Sequence, residues 1–251
     1  MATFSERWGA EVVGGVIAAA VRRVGRRATL HVTSADRDLE ADQTCERFGA
    51  RLIRDAAAGH VIVPFWSAHQ VTIALLALER YGLRRALAHF DVIADESFAG
   101  AVMQALGGRL GLTMRRIHVR GDAKRLEDVG RWMRDPKPFF IAVDGGSTYG
   151  TVPTGIIRMA ARLRSTIWPI GIRARPSCRF PGLIADFPLP GSAVALGIAT
   201  PLSVDRTMPV ATAADALRHR IDVATAAADA VLGRTPGTDP EALWQRVERA
   251  S

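Results

Sequence analysis

Short apolar runs alternate along the chain with longer stretches whose apolar residues recur at helical spacing. A short continuous apolar run is typical of a buried strand. The predicted strands are Thr29–Val32, His60–Phe65, Leu87–Ala94, Arg116–Val119, Phe139–Val143, Thr166–Ile172 and Val194–Ile198. One stretch with helical spacing carries Leu126, Val129 and Met133 on one face. Because strand and helix alternate at short spacing, the pattern predicts a single α/β domain with a mostly parallel sheet flanked by helices.

Helical segments are expected at both ends of this domain. Residues 1–28 are predicted as an N-terminal helix, residues 29–232 as the α/β domain, and residues 233–251 as a linker with a short C-terminal helix. The apolar run Val12–Val21 is shorter than the roughly 20 residues that span a bilayer. Arginines follow this run, whereas basic residues precede the apolar core of a signal peptide. The N-terminal helix is therefore either interfacial at a membrane or packed into the core.

Composition narrows the possible partners. Hydrophobic residues make up 48% of the 251 residues, which indicates a packed core. The formal net charge of +8 favours anionic partners, such as nucleic acid, anionic lipid or phosphorylated substrates. Nucleic acid is not the expected partner, because the chain has neither a basic tail nor the aromatic signature of an RNA-binding module. Cys45 and Cys178 form no disulfide framework or zinc spacing and fit a reducing cytoplasm, and we predict no metal site.

Candidate chemistry follows the predicted strands, since ligands of open α/β sheets bind at the carboxyl ends of the strands. The segments at these ends are Phe65–Gln70, Asp95–Ser97, Arg120–Asp122 and Asp144–Gly150. The last is a glycine-rich turn that exposes backbone N–H groups to a ligand. It lacks the Gly-Lys-Ser/Thr of a phosphate-binding P-loop, so by itself it also fits an ordinary turn.

The order of these segments resembles the blocks of the lysophospholipid acyltransferase superfamily, in particular a compact bacterial branch near the lipid A acyltransferases. The matching segments are Phe65–Gln70, Ser97–Gly100, Leu110–Leu112, Arg120–Gly121, Ala142–Gly146, Gly155–Ala160 and Ile167–Gly171. The resemblance covers about Gly59–Val204. It implies a glycerolipid acyltransferase-like α/β fold and the transfer of a fatty acyl group from acyl carrier protein or coenzyme A. The acceptor would be a lysolipid or another hydroxyl or amine, and no bound cofactor is implied.

The chain departs from the superfamily at its catalytic motif, a histidine followed four residues later by an acid. Ser67 stands where the family has this histidine, and Ala99 stands at the aspartate of the second block. Acyl transfer to an alcohol needs a base and donors for the oxyanion. We therefore predict His69 as the base, oriented by Asp95 in preference to Glu96, and a His69 that lies on the surface or caps a helix is the alternative. Ser67 would donate a hydrogen bond to the acyl carbonyl.

The resemblance also implies a substrate-binding side of the site. It assigns Arg120 to a phosphate or acyl-donor headgroup, which suits the guanidinium fork. Asp144, Gly145, Gly146 and Ser147 would shape the pocket beside it. A solvated Arg120 and an Asp144 that caps the next turn remain alternatives.

Two functions stay open. Retention of Arg120 and Asp144–Gly146 favours an acyltransferase, peripheral to the inner face of the cytoplasmic membrane, with a lipid or lysolipid acceptor. The anionic membrane surface and acyl carrier protein are its expected partners. Loss of the histidine motif favours a catalytically degenerate protein of the same fold that binds a lipid or an acyl chain.

Overall fold

The computed structural model describes residues 4–34, 45–78, 89–95, 97–117, 138–144, 149–179 and 186–233. The described residues form six α-helices: α1 (Phe4–Gly25), α2 (Cys45–Ala58), α3 (Gln70–Ile73), α4 (Phe98–Arg109), α5 (Thr154–Leu163) and α6 (Val210–Val231). They form nine strands: β1 (Thr29–Ser34), β2 (Val61–Phe65), β3 (Asp91–Asp95), β4 (Thr113–Ile117), β5 (Phe139–Ala142), β6 (Thr166–Ile167), β7 (Ile170–Arg179), β8 (Asp186–Ile198) and β9 (Leu202–Ser203). Two 3₁₀ turns, Ser67–His69 and Ala74–Ala77, flank α3.

The larger sheet has six strands in the order β4-β3-β5-β2-β6-β9. Neighbouring strands are parallel from β4 to β6, and β9 alone among the described strands of this sheet runs antiparallel to its neighbour. The carboxyl ends of β2, β3 and β5 therefore lie at one edge. The predicted α/β fold with a mostly parallel sheet is confirmed.

Helices cover both faces of this sheet because successive side chains of a strand point to opposite sides. Val61, Val63 and Phe65 of β2 pack into a core cluster that includes residues of α1, α2 and α4. Ile62 points the other way, into a second cluster formed with α5 and α6. All five residues of β2 are buried, as the unbroken apolar run of this strand predicts.

A second sheet of three strands, in the order β1-β8-β7, corrects the expectation of one sheet. β1 pairs with β8 in parallel, and β7 pairs with β8 as an antiparallel ribbon. The predicted strand Thr166–Ile172 is wrong as a single element, because it divides at Trp168-Pro169. Its first part pairs with β2 and its second part with β8. Proline has no N–H for a ladder, which accounts for the break at this point.

α1 packs against α4 and β8 along its inner face. Its buried residues include Ala10, Ile17, Ala18, Val21 and Val24. Gly14 allows the close approach to α4, since a Cβ atom there would lie 2.6 Å from Ala105 Cβ and 2.8 Å from the Val102 carbonyl oxygen. One face of the N-terminal helix thus belongs to the core.

Several predicted elements differ from the structure or lie outside the described residues. β3 begins at Asp91 within the described residues, and β4 begins at Thr113, three residues before the predicted start at Arg116. Leu87, His118 and Val119 of the predicted strands lie outside the described residues. The predicted helix after Asp122 and the predicted C-terminal segment from residue 234 fall outside the described ranges. Within those ranges, no helix combines the length and the apolar character needed to cross a membrane.

Candidate functional site

Ser67 and Asp144 meet where β2 and β5 end. These strands are parallel, with Phe65 opposite Ala142, and the Val143 N–H donates to the Phe65 carbonyl at 3.0 Å. Two residues beyond this pair on each strand, Ser67 lies opposite Asp144. The sequence-based expectation that the ends of these strands share one edge therefore agrees with the geometry.

Asp144 forms a hydrogen-bonded junction between the two strand ends. Its Oδ1 accepts the Ser67 backbone N–H at 2.6 Å, and its Oδ2 accepts the Ser67 hydroxyl at 3.1 Å. The Gly150 backbone N–H donates to Oδ2 at 3.4 Å. Asp144 thus joins the end of β2 to Gly150 through one carboxyl group, and its substrate-binding role stays a prediction.

Burial controls the protonation of Asp144, which is only 2% exposed. Desolvation raises the pKa of this carboxyl above its ordinary value of 3.8, and the hydrogen bonds from Ser67 and Gly150 oppose the rise. A carboxylate with a raised pKa accepts a proton more readily than an exposed one. Because Ser67 is only partly buried, its hydroxyl links this base to the surface of the domain.

His69 occupies the same turn but faces the protein interior. Its residue is 0% exposed, and its backbone N–H donates to the Trp66 carbonyl at 2.9 Å. In this structure the imidazole has no solvent-accessible surface from which to meet a substrate hydroxyl. Its assignment as the catalytic base stays a prediction, as does its orientation by Asp95.

Other predicted site residues are placed only in part or not at all. Asp95 is the last residue of β3, and β3 neighbours β5, so its backbone lies at the edge of the sheet that holds Asp144. Its side chain is not among the described atoms. Arg120, Gly145, Gly146 and Ser147 lie outside the described residues, and their binding roles stay predictions.

Trp66, the residue before Ser67, is buried in the core cluster formed with α5 and α6. Its indole Nε1–H donates to Asp222 Oδ1 of α6 at 3.0 Å, and its ring lies 5.8 Å from the ring of Tyr149, centroid to centroid. Sequence reasoning missed both partners. A buried indole needs an acceptor for its N–H, but the sequence has no signal that selects a residue so distant along the chain.

A buried ionic cluster that the sequence did not predict supports the opposite side of the turn. Arg173 of β7 contacts Asp186 Oδ2 through Nη1 at 3.2 Å and Asp229 Oδ2 through Nε at 3.4 Å. The Thr72 hydroxyl of α3 donates to the Asp186 carbonyl at 3.1 Å. This cluster joins the smaller sheet, α6 and the segment that follows Ser67.

The part of the chain that the structure describes contains no candidate metal site. No group of three or more histidine, cysteine, aspartate or glutamate side chains there is arranged to hold a metal ion. The chemistry available at the described site is therefore a hydroxyl, a buried carboxyl and backbone N–H groups.

Comparisons with known proteins include a distant likeness to a solved structure. No family model matches the chain, and no curated protein matches its sequence. Among solved structures, the chain is similar to the 1-acyl-sn-glycerophosphate (LPA) acyltransferase PlsC from Thermotoga maritima, with 14% sequence identity and a TM-score of 0.46. The match covers 90% of this chain and 82% of that chain. A likeness at this distance does not identify the reaction.

Proposed function

We propose that this protein is an acyltransferase that moves a fatty acyl group from coenzyme A or acyl carrier protein to a lysolipid or another hydroxyl or amine acceptor. The observation that carries the proposal is the Ser67–Asp144 pair at the carboxyl ends of adjacent parallel strands. Its place in the fold is where open α/β sheets bind ligands. The order of the sequence blocks around it supports the choice of reaction.

The pair supplies a hydroxyl in contact with a base, which is the arrangement of an activated nucleophile. Ser67 Oγ attacks the thioester carbonyl while its proton passes to Asp144, the C–S bond breaks, and the thiol leaves as thiolate. The acceptor oxygen or nitrogen then attacks the Ser67 ester, the ester bond to Ser67 breaks, and the proton of the acceptor passes to the Ser67 oxygen. The proton that Asp144 took in the first half-reaction passes to the released thiolate. Arg120, by the superfamily resemblance, binds the anionic headgroup of the donor or acceptor.

His69 provides the competing base. A direct transfer would need its imidazole to take the proton of the acceptor hydroxyl. The complete burial of this residue favours the Ser67–Asp144 route in the unliganded protein. The activity belongs, in this proposal, at the cytoplasmic face of an anionic membrane, where a lysolipid acceptor resides.

The test measures acyl products by mass spectrometry from acyl-coenzyme A or acyl carrier protein and a panel of lysolipids. Ser67→Ala and Asp144→Asn are each expected to lower kcat by about two to four orders of magnitude. Asp215→Asn, an exposed aspartate on α6, is the matched control and keeps wild-type activity. Intact-protein mass spectrometry of wild type with donor alone is expected to show one added acyl group. Peptide mass spectrometry is expected to place this group on the peptide that contains Ser67.

The second candidate function is a lipid- or acyl-chain-binding protein without turnover. The burial of His69, the histidine nearest to the position of the family motif, favours it. Lipid that copurifies with a wild-type protein inactive toward every donor would establish this alternative. Loss of activity in His69→Gln with full activity in Ser67→Ala would instead restore the histidine as the base.

A further inference from the structure

The residue before Ser67 is hydrogen-bonded to α6. Trp66 is 1% exposed, and its indole Nε1–H donates to Asp222 Oδ1 at 3.0 Å. A buried indole N–H needs an acceptor from the protein, because water does not reach it. Asp222 is itself an exposed residue of α6, so its bond to the indole is a polar anchor and not part of the apolar packing of this helix.

The segment that follows Ser67 is tied to the same helix through a buried arginine. The Thr72 hydroxyl donates to the Asp186 carbonyl at 3.1 Å. The Asp186 carboxylate contacts Arg173 Nη1 at 3.2 Å, and Arg173 Nε contacts Asp229 Oδ2 of α6 at 3.4 Å. A buried guanidinium that bridges two carboxylates in this way joins their two elements firmly.

Both anchors lie on one face of α6. Asp222 and Asp229 are seven residues apart, which is about two turns of a helix. The first anchor acts on Trp66, directly before Ser67, and the second acts through Arg173 on Thr72, further along the same turn. α6 therefore fixes both ends of the segment that presents Ser67.

The geometry of the Ser67–Asp144 pair depends on this placement. The Ser67 N–H and hydroxyl reach the two carboxylate oxygens of Asp144 at 2.6 Å and 3.1 Å. The Trp66 ring also lies 5.8 Å from the ring of Tyr149, and the next residue, Gly150, donates its N–H to the same carboxylate. A shift of the indole would therefore move the serine and the Gly150 turn together relative to Asp144.

We propose that Asp222 is a positioning residue for the Ser67–Asp144 pair and acts through the indole of Trp66. The inference rests on the proposed function, because the alignment of this pair sets a rate only if the reaction takes place at Ser67. A misplacement of about 1 Å in a reacting group costs roughly a hundredfold in rate. Loss of the anchor therefore lowers kcat and leaves KM unchanged, since Asp222 acts on alignment and not on substrate binding.

The experiment compares Asp222 variants of the full chain with acyl-coenzyme A and a lysolipid. Asp222→Ala removes the acceptor and is expected to lower kcat about ten- to hundredfold at unchanged KM. Trp66→Phe keeps a ring but removes the N–H, and it is expected to match Asp222→Ala. Asp222→Asn keeps a side-chain oxygen that accepts the indole N–H, so it is expected to keep wild-type kcat. Asp215→Ala, at an exposed aspartate of the same helix that pairs with Arg218, is the matched control and keeps wild-type kcat.

A second readout needs no turnover. The Ser67 N–H donates a short bond to a carboxylate, and the NMR resonance of such an amide proton moves upfield when the bond lengthens. In isotope-labelled protein this resonance is expected to move in Asp222→Ala and to stay in place in Asp222→Asn and Asp215→Ala. A residue that only stabilised the fold would leave the resonance unchanged in a folded variant.

The inference is overturned if Asp222→Ala, folded by circular dichroism, keeps wild-type kcat or leaves the Ser67 amide resonance in place. It is also overturned if Asp222→Asn loses as much activity as Asp222→Ala, since the charge and not the hydrogen bond would then act. Full activity in Asp222→Ala with an inactive Ser67→Ala removes the positioning role and leaves the proposed reaction standing. A wild type without turnover, whose Ser67 resonance still moves in Asp222→Ala, removes the acyltransferase proposal and leaves the positioning of the pair standing.

Discussion

Two adjacent glycines of α1 are expected to respond in opposite directions to the same substitution. Gly14→Ala adds a Cβ atom 2.6 Å from Ala105 Cβ and 2.8 Å from a backbone oxygen of α4. Neither neighbour is the flexible end of a side chain, so α1 and α4 must separate. Overpacking of this kind costs about 1–3 kcal/mol. Alanine returns about 1 kcal/mol of helix propensity, which leaves a net loss of up to about 2 kcal/mol in the free energy of unfolding.

Gly15→Ala is the matched control on the same helix. Its Cβ atom would lie 3.2 Å from Arg109 Nε, and that side chain is half-exposed and free to shift. The cost is then at most the exposed ion pair with Glu11, worth about 0–1 kcal/mol, against the same gain of about 1 kcal/mol in propensity. We expect Gly15→Ala to be as stable as wild type or slightly more stable.

Urea unfolding followed by circular dichroism measures both variants against wild type. The propensity gain is the same in both variants, so the expected difference is the overpacking cost of about 1–3 kcal/mol less at most about 1 kcal/mol for the ion pair. Each kcal/mol corresponds to roughly 2–4 °C in Tm for a chain of this size. Equal stability of Gly14→Ala and Gly15→Ala would refute the close α1–α4 contact.

Two further predictions concern buried charge. Arg173→Met removes a buried guanidinium from the buried carboxylate of Asp186 and the partly buried carboxylate of Asp229, and it is expected to cost about 3–5 kcal/mol in urea unfolding, whereas Arg218→Met at an exposed ion pair costs under about 1 kcal/mol. The pKa of Asp144 is raised in the folded protein, so the native state holds more protons than the unfolded state above pH 3.8, and stability falls as pH rises through the folded pKa. Asp144→Asn is expected to remove this slope, while Ser67→Ala, which takes away a hydrogen bond that lowers the pKa, extends it to higher pH. An unchanged slope in Asp144→Asn would assign the pH dependence to another group.

The apolar pattern was sufficient to predict β2 and β5, the two strands that hold the candidate site. β2 and β5 are buried runs with few polar interruptions, and their positions agree with the prediction to within a residue. β8 was predicted only from Val194, because its first half alternates buried and exposed residues and contains Pro188, Pro190 and Gly191. Such a segment has the composition of a loop. Its pairing with β7 comes from tertiary contact, which local composition does not encode.

The sequence predicted where the candidate site lies but not which hydrogen bonds form it. The rule that ligands bind at the carboxyl ends of strands selected Ser67 and Asp144 from the sequence. It did not predict that the serine would donate to the aspartate, because that bond depends on the register of β2 against β5. The burial of His69 also escaped prediction, since one residue of rotation in a 3₁₀ turn decides whether a side chain faces the core or the surface.

The ribbon of β7 and β8 continues, after a short break, into the pairing of β6 with β9. Ala199 N–H donates to the Pro169 carbonyl at 3.1 Å at the point where both chains cross from one sheet to the other. Two segments of the chain thus run from one sheet into the other, β6 into β7 and β8 into β9, and this connection couples the order of the two sheets. Cutting the chain between them would yield two fragments that each lack an edge strand. We therefore expect hydrogen exchange at the crossing amides to require global unfolding, with both sheets disappearing in one cooperative transition.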